Sequence, residues 1–297
     1  MTRIFELQGH RGARGLFPEN TLEGFEGAIA IGVDTIELDV AVTADGVAVV
    51  THDPVLNPDI TRGPDGAWLD NTGPAIRALT LAQLRRYDVG RLRPGSRYAG
   101  LYPDQAPRDG ARIPTLAEVF ALTRAAGVRI DAEVKTLPDR PDLTVPPADM
   151  ADIIVATAEA AGALPRLVVR SFDWRGLRHL RRRRPEIPLV WLTSAETVAH
   201  AALWWDGPTP AAFGGSVPAA VAAEAGSATA WTPAWAPEYR TLVQDQIAEA
   251  HQLGLRVIPW TVNAAADMAR LIAWKADGLC TDRPDVARAA LAAIARP

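Results

Sequence analysis

The side chains of this chain whose types and spacing can do chemistry fall in four short clusters: His10-Arg11-Gly12, Glu37-Leu38-Asp39, His52-Asp53 and Asp131-Ala132-Glu133-Val134-Lys135. Together they hold two histidines, two cations and five carboxylates, of which Glu37 and Asp39 sit two apart and Glu133 lies on a second segment. Cleaving a phosphate diester needs one group to take a proton from a nucleophile and another to protonate the departing alkoxide, beside a divalent ion. Imidazole titrates near neutral pH, so His10 and His52 have the right chemistry for an acid and base pair. Arg11 offers a planar fork of donors to a phosphate, and Gly12 lets its loop bend closely around one.

Side chains two apart on a strand share a face, so Glu37 and Asp39 project together while Ile36 and Leu38 face the other way. Two crowded carboxylates repel, and a cation between them keeps both ionised. An isolated Glu-x-Asp is more often a solvated face; Glu133 as a third carboxylate shifts the balance to a metal site. An oxygen-only set suits Mg²⁺ or Ca²⁺, whereas zinc favours imidazole or thiolate. Asp131, Glu133 and Lys135 also share a face, which puts Lys135 beside the metal and phosphate, or in a plain salt bridge to Asp131 or Glu133. Glu19 has two readings, substrate or metal binding and a favourable interaction with a helix dipole. Trp260, at the end of a late strand, either walls the pocket or packs in the core. His179, His200 and His251 lie in helical runs and are read as structural.

The elements that must position these groups alternate strand and helix. The pattern predicts a strand over Ile4–Gly9 and a helix over Asn20–Ile31 with Asn20 or Thr21 as cap. A strand over Asp34–Val40 follows, with a hairpin turn at Thr43-Ala44-Asp45-Gly46 that returns the chain to His52. From Pro54 to Pro114 the sequence is rich in Pro, Gly, Asp and Arg, with one helical run at Thr80–Tyr87, and reads as an insertion. Alternation resumes with helix Leu116–Ala126, strand Val128–Val134, helix Ala148–Ala161, strand Arg166–Ser171, helix Trp174–Arg184 and strand Leu189–Thr193. After an ill-defined Ala-, Gly- and Pro-rich stretch from Ala195 to Gly226 come strand Ala228–Thr232, helix Leu242–Leu253, strand Leu255–Trp260, helix Ala265–Ala273 and strand Asp277–Thr281. With the hairpin's second arm set aside, eight apolar strands remain, the number that closes a parallel (β/α)8 barrel, a TIM barrel. In such barrels chemistry gathers where strands end, which is where the clusters fall. A doubly wound open sheet is the competing α/β fold, but no Gly-rich dinucleotide loop follows the first strand.

At 297 residues, 48% of them hydrophobic, the chain can bury a large core as a single domain, 1–297, with the insertion at about 54–114. A net charge of −4 gives no broad attraction to nucleic acid or anionic membrane, so the expected partner is a small molecule. The single cysteine, Cys280, excludes an internal disulfide and a thiolate metal cage. No run approaches the roughly 20 uninterrupted apolar residues of a membrane span, and His10 comes too early for a signal peptide, so a cytoplasmic location is expected.

The motifs His10-Arg11-Gly12, Pro18-Glu19-Asn20-Thr21, Glu37-Leu38-Asp39-Val40, Asp45-Gly46 and His52-Asp53-Pro54 resemble the signature of the glycerophosphodiester phosphodiesterase family, in the phosphatidylinositol-phospholipase-C-like superfamily. Ile113-Pro114-Thr115-Leu116, Glu133-Val134-Lys135, Ser171-Phe172, Trp260-Thr261-Val262-Asn263 and Thr281-Asp282-Arg283-Pro284 extend the resemblance to the end of the chain. It implies a (β/α)8 barrel with an insertion after the second barrel strand and metal ligation by Glu37, Asp39 and Glu133. It also implies a hydrolase of glycerol and lipid metabolism that releases an alcohol and sn-glycerol 3-phosphate. His10 would take the proton of the attacking hydroxyl and His52 would protonate the leaving group. Arg11, Lys135 and Trp260 are the expected substrate and phosphate contacts, with Glu19 and Phe172 behind them. The chain departs from the family pattern between Ala195 and Tyr239; if Trp204-Trp205 and Trp231 to Trp235 line the mouth, a lipid-like alcohol fits, as in lysophospholipids. The alternatives are a lysophospholipase D or phospholipase-D-like activity and a barrel that binds phosphorylated ligands without turnover. A binuclear amidohydrolase would need a His-x-His pair, which does not occur.

Overall fold

A computed structural model of the chain describes residues 5–226 and 230–294. In chain order the elements are β1 (Glu6–His10), α1 (Leu22–Ile31), β2 (Thr35–Val42), β3 (Ala48–Val50), α2 (Leu81–Leu84), α3 (Arg97–Leu101), α4 (Leu116–Thr123), β4 (Arg129–Val134), α5 (Pro147–Ala160), β5 (Leu167–Ser171), α6 (Trp174–Arg183), β6 (Leu189–Thr193), α7 (Ala195–Ala199), α8 (Ala201–Trp205), α9 (Val217–Ala225), β7 (Ala234–Pro237), α10 (Gln244–Gln252), β8 (Arg256–Val257), α11 (Ala265–Ala273), β9 (Gly278–Thr281) and α12 (Pro284–Ile294). The parallel strands run β8-β7-β6-β5-β4-β2-β1-β9, and β3 pairs antiparallel with β2 as the predicted hairpin arm. Backbone bonds from Asp277 N–H to the Val257 carbonyl (2.8 Å) and from Cys280 N–H to the Pro259 carbonyl (2.9 Å) bring β9 against β8. The result is a nearly closed barrel of eight parallel strands, the (β/α)8 architecture.

Local chemistry accounts for the elements that carry the site. Thr21 is in extended conformation and its hydroxyl accepts from Gly24 N–H, so α1 starts there and buries Phe25 and Ala28; Gly32, at φ 92°, ends it. Thr115 and Glu118 form a reciprocal capping box at the start of α4. The main apolar core lies between the outward faces of the strands, such as Ile36, Leu38, Ile130 and Val169, and the helices around them. A second, smaller core of Val49, Leu56, Ile76, Leu84, Val89 and Ile113 holds the segment between β3 and α4 on the outside of the hairpin.

The barrel interior is divided. On the β5–β8 side it is apolar, with Val168, Val190, Leu192, Ala234, Ala236 and Ile258. On the β1–β2–β4 side it is polar, with Glu6, Gln8 and Asp131 buried. Glu6 accepts from Thr35 (2.7 Å), Gln8 (3.0 Å) and Arg256 (2.7 Å) and pairs with Arg129 at 2.9 Å. One layer up, Arg170 donates to Gln8 (2.6 Å) and to Asp131. Each buried charge there has an opposite charge or a hydrogen bond, the condition under which burial is tolerated.

Several expectations need correction. The strand expected at Ala228–Thr232 is β7, Ala234–Pro237, where its register with β6 pairs Val190 with Ala234; 228 and 229 lie outside the described residues. Ile4 of the expected first strand lies outside them too. The strand expected at Leu255–Trp260 is only Arg256–Val257, and Thr80–Tyr87 shrinks to the single turn of α2. Nor do the late tryptophans gather at the mouth. Trp205 stacks on Trp174 (4.0 Å, 3°) with both fully buried, Trp235 donates to Thr193, and Trp231 donates to the Pro185 carbonyl at the opposite end of the barrel. Trp204 alone reaches toward the mouth, edge-on to Phe172 at 6.3 Å. Among the described residues no helix is long and apolar enough to cross a membrane.

Candidate active site

The ladder sets the acidic groups side by side. Register pairs His10 with Glu37 across β1 and β2, and Asp39 with Glu133 across β2 and β4. Oxygens of Glu37, Asp39 and Glu133 all come within 4.8 Å of one another, and all three residues are buried. Burial and then the neighbouring Asp39 push the Glu37 carboxyl up to about 8, and burial raises Glu133 to about 6 against the pull of Lys135. Asp39 goes the other way: burial opposes ionisation, but Lys135, His52 and Arg11 hold its carboxyl well below the usual range. Two of the three carboxyls are thus pushed toward protonation and one away from it, and the all-oxygen donor set fits a hard divalent ion.

Protein cations surround the trio. Lys135 Nζ lies 3.1 Å from Glu133 and 3.3 Å from Asp39, so its ion pair is with these and not with Asp131. Arg170 reaches up from the layer below to within 3.7 Å of Glu37. Arg11 has φ 51°, a left-handed turn that presents its backbone N–H to Glu37 (3.0 Å) and its side chain to Asp39 (3.2 Å). That turn depends on Gly12, at φ 92°, where a Cβ would press on the Gly24 carbonyl at 3.0 Å. The Asn20 amide donates to Asp39 at 3.0 Å.

Both histidines are held by carboxylates. His10 Nδ1 is 2.7 Å from Asp282 Oδ1, which makes Nδ1 the protonated nitrogen and leaves the Nε2 lone pair free, 3.9 Å from Glu37. Burial, and then Arg14 and Arg11 against the pull of Asp282, lower its pKa to about 4, so the ring is a neutral base at pH 7. His52 Nδ1 is 2.8 Å from Asp53 Oδ1, and Asp53 is fixed in turn by the Asn57 amide at 2.7 Å. Burial, Arg11 and Lys135 lower the His52 pKa as well. An anion bound between those cations would offset them and favour the protonated ring.

His10, Arg11, Glu37, Asp39, His52, Glu133, Lys135, Phe172 and Trp260 all line one cavity of about 200 Å³ at the C-terminal ends of the strands. Phe172 and Trp260 meet edge to face at 5.3 Å and supply its apolar wall with Leu192. Glu19 is turned away from it: its oxygens accept from Arg11 (2.8 Å) and from Tyr98, so it holds Arg11 in place. Sequence reasoning missed Asp282 and Arg14 as site residues. Arg14 pairs with Asp282 at 2.9 Å and lines the cavity, and Asn263 donates to Asp282 at 2.8 Å. The Thr281-Asp282-Arg283-Pro284 motif carried the signal for Asp282, whereas nothing near Arg14 distinguishes it.

Residues 10–286 match the family model described as the Glycerophosphoryl diester phosphodiesterase family. A glycerophosphodiester phosphodiesterase of Bacillus subtilis is 30% identical over 93% of this chain and 83% of its own length. A solved structure from Silicibacter pomeroyi that carries the same family name superposes with a TM-score of 0.87 at 34% identity, covering 99% of this chain and 95% of that one. An Oleispira antarctica phosphodiesterase, solved in complex with the product sn-glycerol-3-phosphate, shares the fold with a TM-score of 0.69 at 21% identity over 97% of both chains.

Proposed function

The chain belongs to the glycerophosphoryl diester phosphodiesterase family and is a phosphoric diester hydrolase, and from that premise we propose that it cleaves glycerophosphodiesters to an alcohol and sn-glycerol 3-phosphate with His10 as base and His52 as acid. The observation that carries the reading is the shared cavity: two carboxylate-held imidazoles, four cations and the acidic trio face the same 200 Å³. The product named for the Oleispira antarctica structure fits the same reading.

In this reading Arg11 and Lys135 bind the phosphate oxygens, and Phe172 and Trp260 pack on the carbons of the glycerol. His10 Nε2 takes the proton of the attacking hydroxyl as the new P–O bond forms, and His52 gives a proton to the departing alkoxide as the old P–O bond breaks. Where water attacks, the two rings then exchange their protons with solvent; where the hydroxyl is the glycerol's own, the cyclic phosphate so formed is opened in a second step by water, with His52 as base and His10 as acid. Asp282 and Asp53 keep each ring in the tautomer its role needs. Glu37, Asp39 and Glu133 would hold a divalent ion, which supplies Lewis-acid polarisation of a phosphoryl oxygen and neutralises the trio's charge.

An assay for glycerol 3-phosphate released from glycerophosphodiesters tests this. His10→Ala and His52→Ala should each lower kcat by about 10²–10⁴-fold. A fully active double variant rules the assignment out.

A further inference from the structure

A second cavity, also of about 200 Å³, opens beside the first, and His52 and Lys135 line both. Its remaining walls are Ala41 and Val42 from β2, Ile76 from the segment between β3 and α2, Leu137 and Leu143 from the loop after β4, and Met150 from α5. Arg77 builds the roof by donating to the carbonyls of Asp142 and Thr144, both at 2.9 Å, which ties that segment to the β4–α5 loop. Nothing in the mechanism above uses this space.

Resting on that reading, we infer that this cavity receives the departing alcohol, and that the substrates it favours are glycerophosphodiesters of neutral, apolar alcohols. Three observations support the assignment. His52, the proton donor to the leaving oxygen, lines both cavities, so a group attached to that oxygen has the second cavity beside it. The lining is aliphatic, and the volume holds roughly six water-sized groups, enough for a short alkyl chain. The charges at its ends disfavour a cationic headgroup: Lys135 and Arg77 are both positive, and the single carboxylate there, Asp53, is committed to His52 and Asn57. A choline or ethanolamine group entering this space would find no free anion, beside Arg77 and a Lys135 already paired with Glu133 and Asp39.

The test compares kcat/KM for glycerol 3-phosphate release from the methanol, n-butanol, choline and glycerol esters of sn-glycerol 3-phosphate. Burial of each added methylene is worth up to about fourfold, so the butanol ester should exceed the methanol ester by roughly tenfold or more and exceed the choline and glycerol esters as well. Leu143→Asp and Leu137→Asp, both on a partly exposed loop, should each cut the butanol-to-methanol ratio at least about fivefold, and Leu143→Trp should cut it by filling the space. Equal turnover of the methanol and butanol esters, a preference for the choline ester, or a ratio untouched by all three variants overturns the inference while leaving the proposed activity intact. Release of no glycerol 3-phosphate from any ester overturns both.

Discussion

Binding of a divalent ion to the acidic trio should expel a proton, and the number expelled follows from the site's electrostatics. With the Glu37 carboxyl at about 8 and Glu133 at about 6, roughly nine in ten ion-free molecules hold a proton on Glu37 at pH 7 and roughly one in ten on Glu133. An ion that needs all three carboxylates ionised therefore releases about one proton at pH 7 and about 0.1 at pH 9. Its affinity rises about tenfold over the same range, or about 1.4 kcal/mol. Calorimetric titration of Mg²⁺ or Ca²⁺ in two buffers of different ionisation enthalpy counts the proton directly. The same shift has a stability signature in the ion-free protein. A carboxyl raised from 4.5 to about 8 keeps its proton in the fold after the unfolded chain has lost it, so stability falls as pH rises from 4.5 to 8, by at most about 5 kcal/mol. Glu37→Gln, uncharged and of the same shape, removes that fall, so the difference in unfolding free energy between variant and wild type should grow across the window. No proton released at pH 7, or an equal release at pH 9, refutes the argument, as does a wild-type-to-variant difference that stays flat with pH.

Two further outcomes follow. Asp282→Asn should lower kcat by about 10²-fold or more with KM nearly unchanged and circular dichroism intact, because His10 loses the carboxylate that sets its tautomer; stopped turnover kinetics at saturating substrate read this. At the other end of the barrel, Glu6 is held at about 2: burial opposes ionisation, and Arg129, Arg256, Gln8 and Thr35 overcome it. Its contribution, about 3 kcal/mol, is complete above pH 4.5 and lost as pH falls through 2, so urea unfolding should show Glu6→Gln less stable by that amount at pH 6 and the difference shrinking toward zero near pH 2.

Much of the fold and the site could be read from local pattern because local physics set it. The i, i+2 spacing of Glu37 and Asp39 became a shared inward face, the Thr43–Gly46 turn became the hairpin, and Thr21 became the cap of α1. What local pattern does not encode is which apolar segment the ladder selects. Trp231 through Pro237 is apolar and proline-bounded along its length, and only pairing with β6 places the strand at Ala234. The tryptophans misled for the same reason: burial against α6 and the strands absorbed Trp205 and Trp235, and no spacing distinguishes an indole in the core from one at a mouth. Helix α12 had a legible signal, Pro284 at its first position with Val286, Ala287 and Ala290 on one side, that the strand-and-helix count passed over.

The site residues that sequence missed share a physical character. Each guanidinium around the acidic trio is itself held by a carboxylate one step further out: Arg11 by Glu19, Arg170 by Asp131, and Arg14, beside His10, by Asp282, whereas Lys135 pairs with the trio alone. Such second partners range from 8 residues away for Arg11 and Glu19 to 268 for Arg14 and Asp282, and Glu19 is met in turn by Tyr98 from the segment between β3 and α4. They are needed because a guanidinium brought into a buried site must be both desolvated and aimed, and one carboxylate shared with an ion or a substrate cannot do the aiming alone. Motif residues declare what a site can do through their own chemistry. The outer carboxylates set the protonation states in which it can be done, and only the closed barrel brings them together.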